Sequence, residues 1–128
     1  MYWVFYIGLG LLFTHELDAV RNNEWRVLPL TSWLPEQYGE DIFILLHIPL
    51  FAVLIYFLAS EKLSTRQLSR TIAAAFMALH GVLHWLFSSH VHYEFEAISS
   101  SSFIYGAAVC GLIYLLADFR GRQVAANT

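Results

Sequence analysis

Four long apolar stretches constrain this chain more than any other feature of its sequence. Each holds about 20 mostly apolar residues, which is the length that a helix needs to cross the hydrocarbon core of a bilayer. The predicted spans are residues 2–20, 41–59, 71–88 and 97–117. We therefore predict an all-α fold, an integral membrane bundle of four transmembrane helices, in a single domain that covers residues 1–128.

The composition agrees with a membrane protein. Charged residues make up 13% of the chain, whereas a soluble domain carries about 25%. A nucleic-acid binder needs a basic surface, but seven Lys and Arg stand against ten Asp and Glu. The single cysteine, Cys110, excludes a disulfide framework and a CxxC motif. The predicted partner is the lipid bilayer and not nucleic acid, while a homodimer or a larger membrane complex stays open.

The basic residues predict the orientation, because cytoplasmic loops carry an excess of Lys and Arg. On the side that both termini share, the basic residues are Lys62, Arg66, Arg70, Arg120 and Arg122. The other side has Arg21 and Arg26. We predict cytoplasmic termini and a bacterial inner membrane, with the histidine-rich end facing the periplasm. Residues 61–70 are expected to form a short polar turn, and the tail from Asp118 is expected to fray.

The six histidines all map to the outward end of the predicted helices. At a rise of about 1.5 Å per residue, the helical histidines lie roughly 6–12 Å below that end. They are His15, His47, His80 and His84. Polar side chains at membrane depth almost always face the bundle interior, so this distribution predicts a site between helices. His90 and His92 lie in the loop above and are interpreted as solvated surface residues.

The residue types in this cluster indicate a metal ion. His80 and His84 are four residues apart on one helical face, a spacing at which two imidazoles can chelate one ion. Imidazole and carboxylate are the usual ligands of zinc and non-haem iron. The candidate ligands are His15, Asp18, His47, His80 and His84. A zinc ion with an open position lowers the pKa of bound water to about 7, so we predict a membrane metal-dependent hydrolase with Glu16 as the general base.

Two other functions stay open. In a b-type haem protein, His47 together with His80 or His84 would ligate the iron from facing helices. In a small proton- or cation-coupled transporter, or an accessory subunit of a membrane complex, Glu16 and Asp18 would carry protons or bind a cation. A histidine in a membrane helix can also serve packing alone, by hydrogen bonding to a neighbouring helix.

Residues 15–26 read HELDAVRNNEWR and form the densest polar stretch of the chain. A zincin motif requires a second histidine at position 19, where Ala19 stands, so a metalloprotease of that type is excluded. Arg21 is interpreted as pairing with either Asp18 or Glu24, each three residues away, as an ordinary helix pair. Trp25 is expected to anchor at the lipid headgroups, and Arg26 is a candidate contact for a phosphate or a carboxylate.

The same stretch resembles a family of small, uncharacterised bacterial membrane proteins. The resemblance rests on H-E-x-D-A at the end of the first helix (His15 to Ala19) and on E-W-R in the following loop (Glu24 to Arg26). The H-I-P sequence at residues 47–49 fits the same pattern. It covers most of the chain and implies a four-helix bacterial membrane protein, but it implies no catalytic residue.

Overall fold

The computed structural model describes residues 2–126, with side chains as far as Val124. These residues form four α-helices and a short 3-10 helix, and no β-strand is found among them. The helices are α1 (Tyr2–Arg21), α2 (Gly39–Leu58), α3 (Leu63–Phe87) and α4 (Ile98–Ala126), and the 3-10 helix is Glu24–Arg26. The predicted all-α fold is confirmed. All four α-helices are long and apolar enough to cross a membrane.

Two helices extend further than the apolar pattern predicted. The helix α3 begins at Leu63, inside the expected polar turn, and α4 continues to Ala126 through the tail that was expected to fray. Polar side chains do not by themselves end a helix, and here they add helical contacts of their own. Arg122 pairs with Asp118 one turn earlier at 2.8 Å. The helices α3 and α4 are therefore longer than the apolar segments from which they were predicted.

The helices α1, α3 and α4 pack closely because small residues stand where they cross. A Cβ atom on Gly8 of α1 would lie 2.6 Å from the Cβ of Cys110 on α4, and one on Gly81 of α3 would lie 2.6 Å from that of Ala108. Small residues commonly allow such close approach between membrane helices. The core between these helices consists of Phe5, Leu9, Leu12, Ala73, Ala74, Met77, Ala107 and Tyr114.

The helix α2 lies at the edge of this core. Its buried residues are Gly39 and Phe43, both near its N-terminus, whereas α1 and α3 each bury six residues. Half of the remaining side chains of α2 are large, apolar and exposed. Such a surface fits contact with lipid acyl chains, which agrees with the predicted bilayer partner.

The connection after α1 folds back onto the bundle. Asn23 adopts a φ of 50°, in the left-handed region that Asn tolerates better than most residues. The turn brings Trp25 into a core cluster with Ala19, Phe43 and Phe95, where only 3% of Trp25 is exposed. The prediction that Trp25 lies at the headgroups was therefore wrong. The composition of this loop is typical of a segment at the membrane surface. Composition alone does not show that the chain turns back onto the bundle here.

Candidate metal centre

Four buried polar side chains meet near one end of the bundle. His15 comes from α1, Glu24 from the 3-10 helix, and His80 and His84 come from α3. One ligand atom from each residue lies within 4.8 Å of the ligand atoms of the other three. We call these four residues the His/Glu cluster. Because polar groups are costly to bury without partners, their concentration in an apolar interior requires an explanation.

The distances inside the His/Glu cluster resemble those between ligands of one metal ion. The Nε2 atoms of His80 and His84 are 3.2 Å apart. Glu24 Oε2 lies 3.3 Å from His15 Nε2, and Glu24 Oε1 lies 3.4 Å from His84 Nε2. In a tetrahedral zinc site, with metal–ligand distances of about 2.0–2.2 Å, neighbouring ligand atoms are about 3.3–3.6 Å apart. These three separations, which involve both oxygens of Glu24, are close to the edges of a coordination polyhedron, and one ligand atom from each of the four residues lies within 4.8 Å of the others.

His15 lacks the hydrogen bonds that a buried imidazole needs. Its side chain is fully buried, and neither ring nitrogen has a hydrogen-bond partner among the described residues. Glu24 Oε2 lies 3.3 Å from His15 Nε2, but the two atoms are not in hydrogen-bond geometry, so this oxygen also lacks a partner among the described residues. Each buried unsatisfied group costs about 1–3 kcal/mol. A cation between these two atoms would satisfy both of them.

The charge of Glu24 suits a cation as well. Burial alone would raise the pKa of this carboxyl group, but its polar contacts with His15 and His84 outweigh burial and hold the pKa well below its ordinary value. Glu24 is therefore an anion in a buried site. A cation bound in the His/Glu cluster would compensate this charge.

Tyr93 and Phe95 surround the cluster from the loop before α4. The Tyr93 hydroxyl lies 3.2 Å from His84 Nδ1, on the side of the ring that faces away from the cluster. Burial, with smaller effects of Tyr105 and Glu24, raises the pKa of Tyr93 to about 12, so the hydroxyl keeps its proton at neutral pH. Histidine ligands almost always have such a partner on their second nitrogen. Phe95 packs against the rings of both His15 and His84.

The space beside the cluster is small. A cavity of about 10 Å³ borders Glu24, His80, His84, Tyr93 and Phe95. This volume corresponds to room for about one water molecule. One water-sized ligand therefore fits beside the His/Glu cluster.

A family model matches residues 1–121, which is nearly the whole chain. The chain belongs to DUF6713, a family of unknown function. No curated protein and no solved structure matches it. In this DUF6713 chain the matched region contains all four residues of the His/Glu cluster. The family assignment agrees with the resemblance to uncharacterised proteins noted in the sequence.

The structure brings three of the predicted ligands of this DUF6713 chain together, namely His15, His80 and His84. His47 instead forms a separate pair with Glu16, the candidate base, with 2.9 Å between Nε2 and Oε2. The other ring nitrogen of His47 donates to the Phe43 carbonyl oxygen at 2.7 Å. Both nitrogens of His47 thus face oxygen acceptors, so one shared proton must lie between His47 and Glu16.

The two remaining candidates lie outside the His/Glu cluster. Asp18 has a buried Oδ2 atom without a hydrogen-bond partner among the described residues. Arg26, the candidate anion contact, pairs with the carboxylate of Glu36 and lies over the ring of Trp25 at 5.2 Å. The anion that this guanidinium group contacts is thus supplied by the chain itself.

Glu24 is the cluster residue that the sequence analysis missed. It was interpreted as one of two possible partners of Arg21 in an ordinary helix pair, a pairing that requires a continuous helix as far as Glu24. The left-handed turn at Asn23 ends that continuity and directs Glu24 inward. Asn22 and Asn23, two residues typical of turns and directly before Glu24, were the signal that could have identified it.

Proposed function

We propose that this chain is a multi-pass membrane protein that binds one divalent transition-metal ion, zinc or non-haem iron, in the His/Glu cluster. One observation carries the proposal: four side chains able to bind a metal, from three separate segments, converge in a buried site, with one ligand atom of each within 4.8 Å of the other three. The unsatisfied atoms of His15 and Glu24 support it further.

The ligand set restricts the choice of metal. Calcium and magnesium prefer oxygen ligands throughout, whereas three imidazoles and one carboxylate suit zinc or iron. Copper(I) favours thiolate and thioether ligands, and the single cysteine, Cys110, lies outside the cluster.

In the catalytic form of this proposal, the metal activates water for hydrolysis of a membrane-associated substrate. Three histidines and one carboxylate fill four positions, so water must enter as an additional ligand or replace one of them. The adjacent cavity of about 10 Å³ has room for that water. Glu16, with its proton shared with His47, is the proposed proton acceptor outside the His/Glu cluster. The metal end then faces the periplasm, as the basic residues predict.

A b-type haem is the weaker alternative. Its two axial imidazoles must approach the iron from opposite faces of a macrocycle. His47, which α2 would supply, instead has both ring nitrogens on protein oxygens, those of Glu16 and of the Phe43 carbonyl group, while its proposed partners His80 and His84 lie together on α3. The cavity of about 10 Å³ beside them is much smaller than a porphyrin.

Elemental analysis of the full chain, purified in detergent and loaded with zinc or ferrous iron, tests the proposal. We expect about one ion per chain in the wild type and at least a tenfold lower content in His80→Ala. His90→Ala is the matched control, because His90 is exposed and lies outside the cluster. Metal at background level in the wild type, or equal metal content in His80→Ala and the wild type, would overturn the proposal.

A further inference from the structure

A second polar site lies at the end of the bundle opposite the His/Glu cluster. Tyr2 borders this site, and His15 of the His/Glu cluster lies thirteen positions further along α1. At a rise of about 1.5 Å per residue, the two sites are about 20 Å apart. The site is a cleft of about 600 Å³ between the start of α1, the first turns of α3 and the last turns of α4. We call it the basic cleft.

The charged residues that line the basic cleft are mostly arginines. They are Arg66, Arg70 and Arg122, accompanied by one carboxylate, Asp118. Three guanidinium groups against one carboxylate leave two net positive charges. The other lining residues include Leu63, Ala117 and Tyr114, so the cleft combines a basic centre with apolar walls.

The single carboxylate is already engaged. Asp118 accepts hydrogen bonds from Arg122 at 3.0 Å, from Gln67 at 3.2 Å and from Thr71 at 3.2 Å. Arg122 thus neutralises Asp118, and the net charge of the basic cleft resides on Arg66 and Arg70. These two residues are four positions apart on one face of α3.

Arg66 and Arg70 form no ion pair with the described residues. Arg70 donates to the Tyr6 hydroxyl at 3.0 Å, and its guanidinium group lies over the ring of Tyr2 at 4.7 Å. Arg66 donates to the carbonyl oxygen of Ser60 at 3.4 Å. The Nε atoms of both arginines are buried and unpartnered among the described residues. The aromatic rings hold Arg70 in place while leaving its positive charge uncompensated.

A pair of oriented guanidinium groups is suited to a phosphate group. Arginine binds phosphate through parallel hydrogen bonds that match the geometry of the phosphate oxygens. Basic pockets between transmembrane helices on the cytoplasmic side are known binding sites for anionic lipid headgroups. The apolar walls and the tyrosines fit the boundary between headgroups and acyl chains.

We propose that the basic cleft binds a phosphate ester through Arg66 and Arg70, and that the phosphate belongs to the headgroup of an anionic phospholipid. Free inorganic phosphate carries the same chemical group and is the alternative source. Apolar walls favour the lipid, because they offer the acyl chains a surface that inorganic phosphate cannot use. This proposal is independent of the metal centre.

Binding of short-chain phosphatidylglycerol to the full chain in a zwitterionic detergent tests the proposal. We expect saturable binding, no comparable binding of short-chain phosphatidylcholine, and about a tenfold loss of affinity in Arg66→Gln and in Arg70→Gln. Arg120→Gln is the matched control, because Arg120 is an exposed arginine of α4 that does not line the cleft. It should change the affinity less than twofold. Helical content and elution volume establish that the variants fold.

Three results would overturn the proposal. Equal affinity for the two phospholipids would show that the charge of the headgroup is not recognised. Equal losses in Arg120→Gln and Arg70→Gln would show diffuse attraction instead of a site. Competition by inorganic phosphate at the same concentration as phosphatidylglycerol would overturn the assignment to a lipid. An intermediate affinity in Arg70→Lys, which keeps the charge but loses the planar fork, would support direct contact with the phosphate.

Discussion

The two ends of the bundle both concentrate polar residues, but they do so in opposite ways. In the His/Glu cluster the polar groups face one another, are buried, and lie within 4.8 Å. In the basic cleft the two uncompensated arginines face an open volume of about 600 Å³, and aromatic rings hold one of them from the side. A closed arrangement suits a small ion, whereas an open one suits a larger ligand with an apolar part.

The difference also concerns which charges are left uncompensated. The His/Glu cluster contains the negative charge of Glu24, and the basic cleft has an excess of positive charge from Arg66 and Arg70. Each end would therefore attract a ligand of the opposite sign. The two ends can therefore be distinguished by how ligand binding at each end depends on these charges.

The largest effect is expected from Glu24→Gln. This change removes the only carboxylate of the cluster and should lower zinc affinity at least about 100-fold, as measured by competition with a chromophoric chelator. Glu96→Gln, an exposed carboxylate of the loop before α4, is the control and should leave the affinity unchanged. Retention of zinc affinity in Glu24→Gln would remove the charge argument for the metal centre.

Acidification from pH 7 to pH 5 should affect the two ends differently. Imidazole nitrogens must be deprotonated to bind a metal ion, so added protons compete with zinc for the same atoms. We expect zinc affinity to fall at least about tenfold over this range. Guanidinium groups stay charged throughout, so the affinity for phosphatidylglycerol should change less than twofold. Parallel titrations of the two ligands measure this contrast, and equal changes would contradict it.

Tyr93→Phe should have an intermediate effect. It removes the hydroxyl beside His84 Nδ1 but keeps the ring, so zinc affinity should fall about tenfold while the bundle remains folded. Tyr56→Phe on the exposed surface of α2 is the matched control. Unchanged affinity in Tyr93→Phe would mean that the Tyr93 hydroxyl does not orient His84.

The smallest expected effect is a cross-effect between the ends. Sites separated by about 20 Å with no shared contacts usually behave independently. Glu24→Gln should therefore change phosphatidylglycerol affinity less than twofold, and Arg70→Gln should change zinc affinity less than twofold. A larger cross-effect would show that the two ends are coupled through α3, which contributes residues to both.

The sequence predicts the helices well because bilayer thickness and the 1.5 Å rise act on each segment separately. It also predicts His80 and His84 as neighbours, because the relation of residues four apart is local to one helix. The distance of His15 from the outward end of its helix placed it at the level of His80 and His84, but the same measure placed His47 at that level as well. Depth does not determine the direction in which a side chain points, and His47 faces Glu16 instead.

Glu24 could not be predicted in the same way. Its position depends on the backbone of Asn23 and on the burial of Trp25, which are properties of the loop packed against three helices. Hydropathy describes such a loop only by its composition. Glu24 contributes the negative charge of the proposed metal centre. Local sequence patterns nevertheless did not assign it to that centre.

The order of the cluster residues along the chain has a consequence for biogenesis. His15 and Glu24 emerge early during synthesis, but His80 and His84 emerge only with the third helix. If a membrane inserts the helices in chain order, no complete ligand set exists until α3 has crossed and packed against α1. An ion that binds at this stage would stabilise only those chains whose first three helices have inserted and packed correctly.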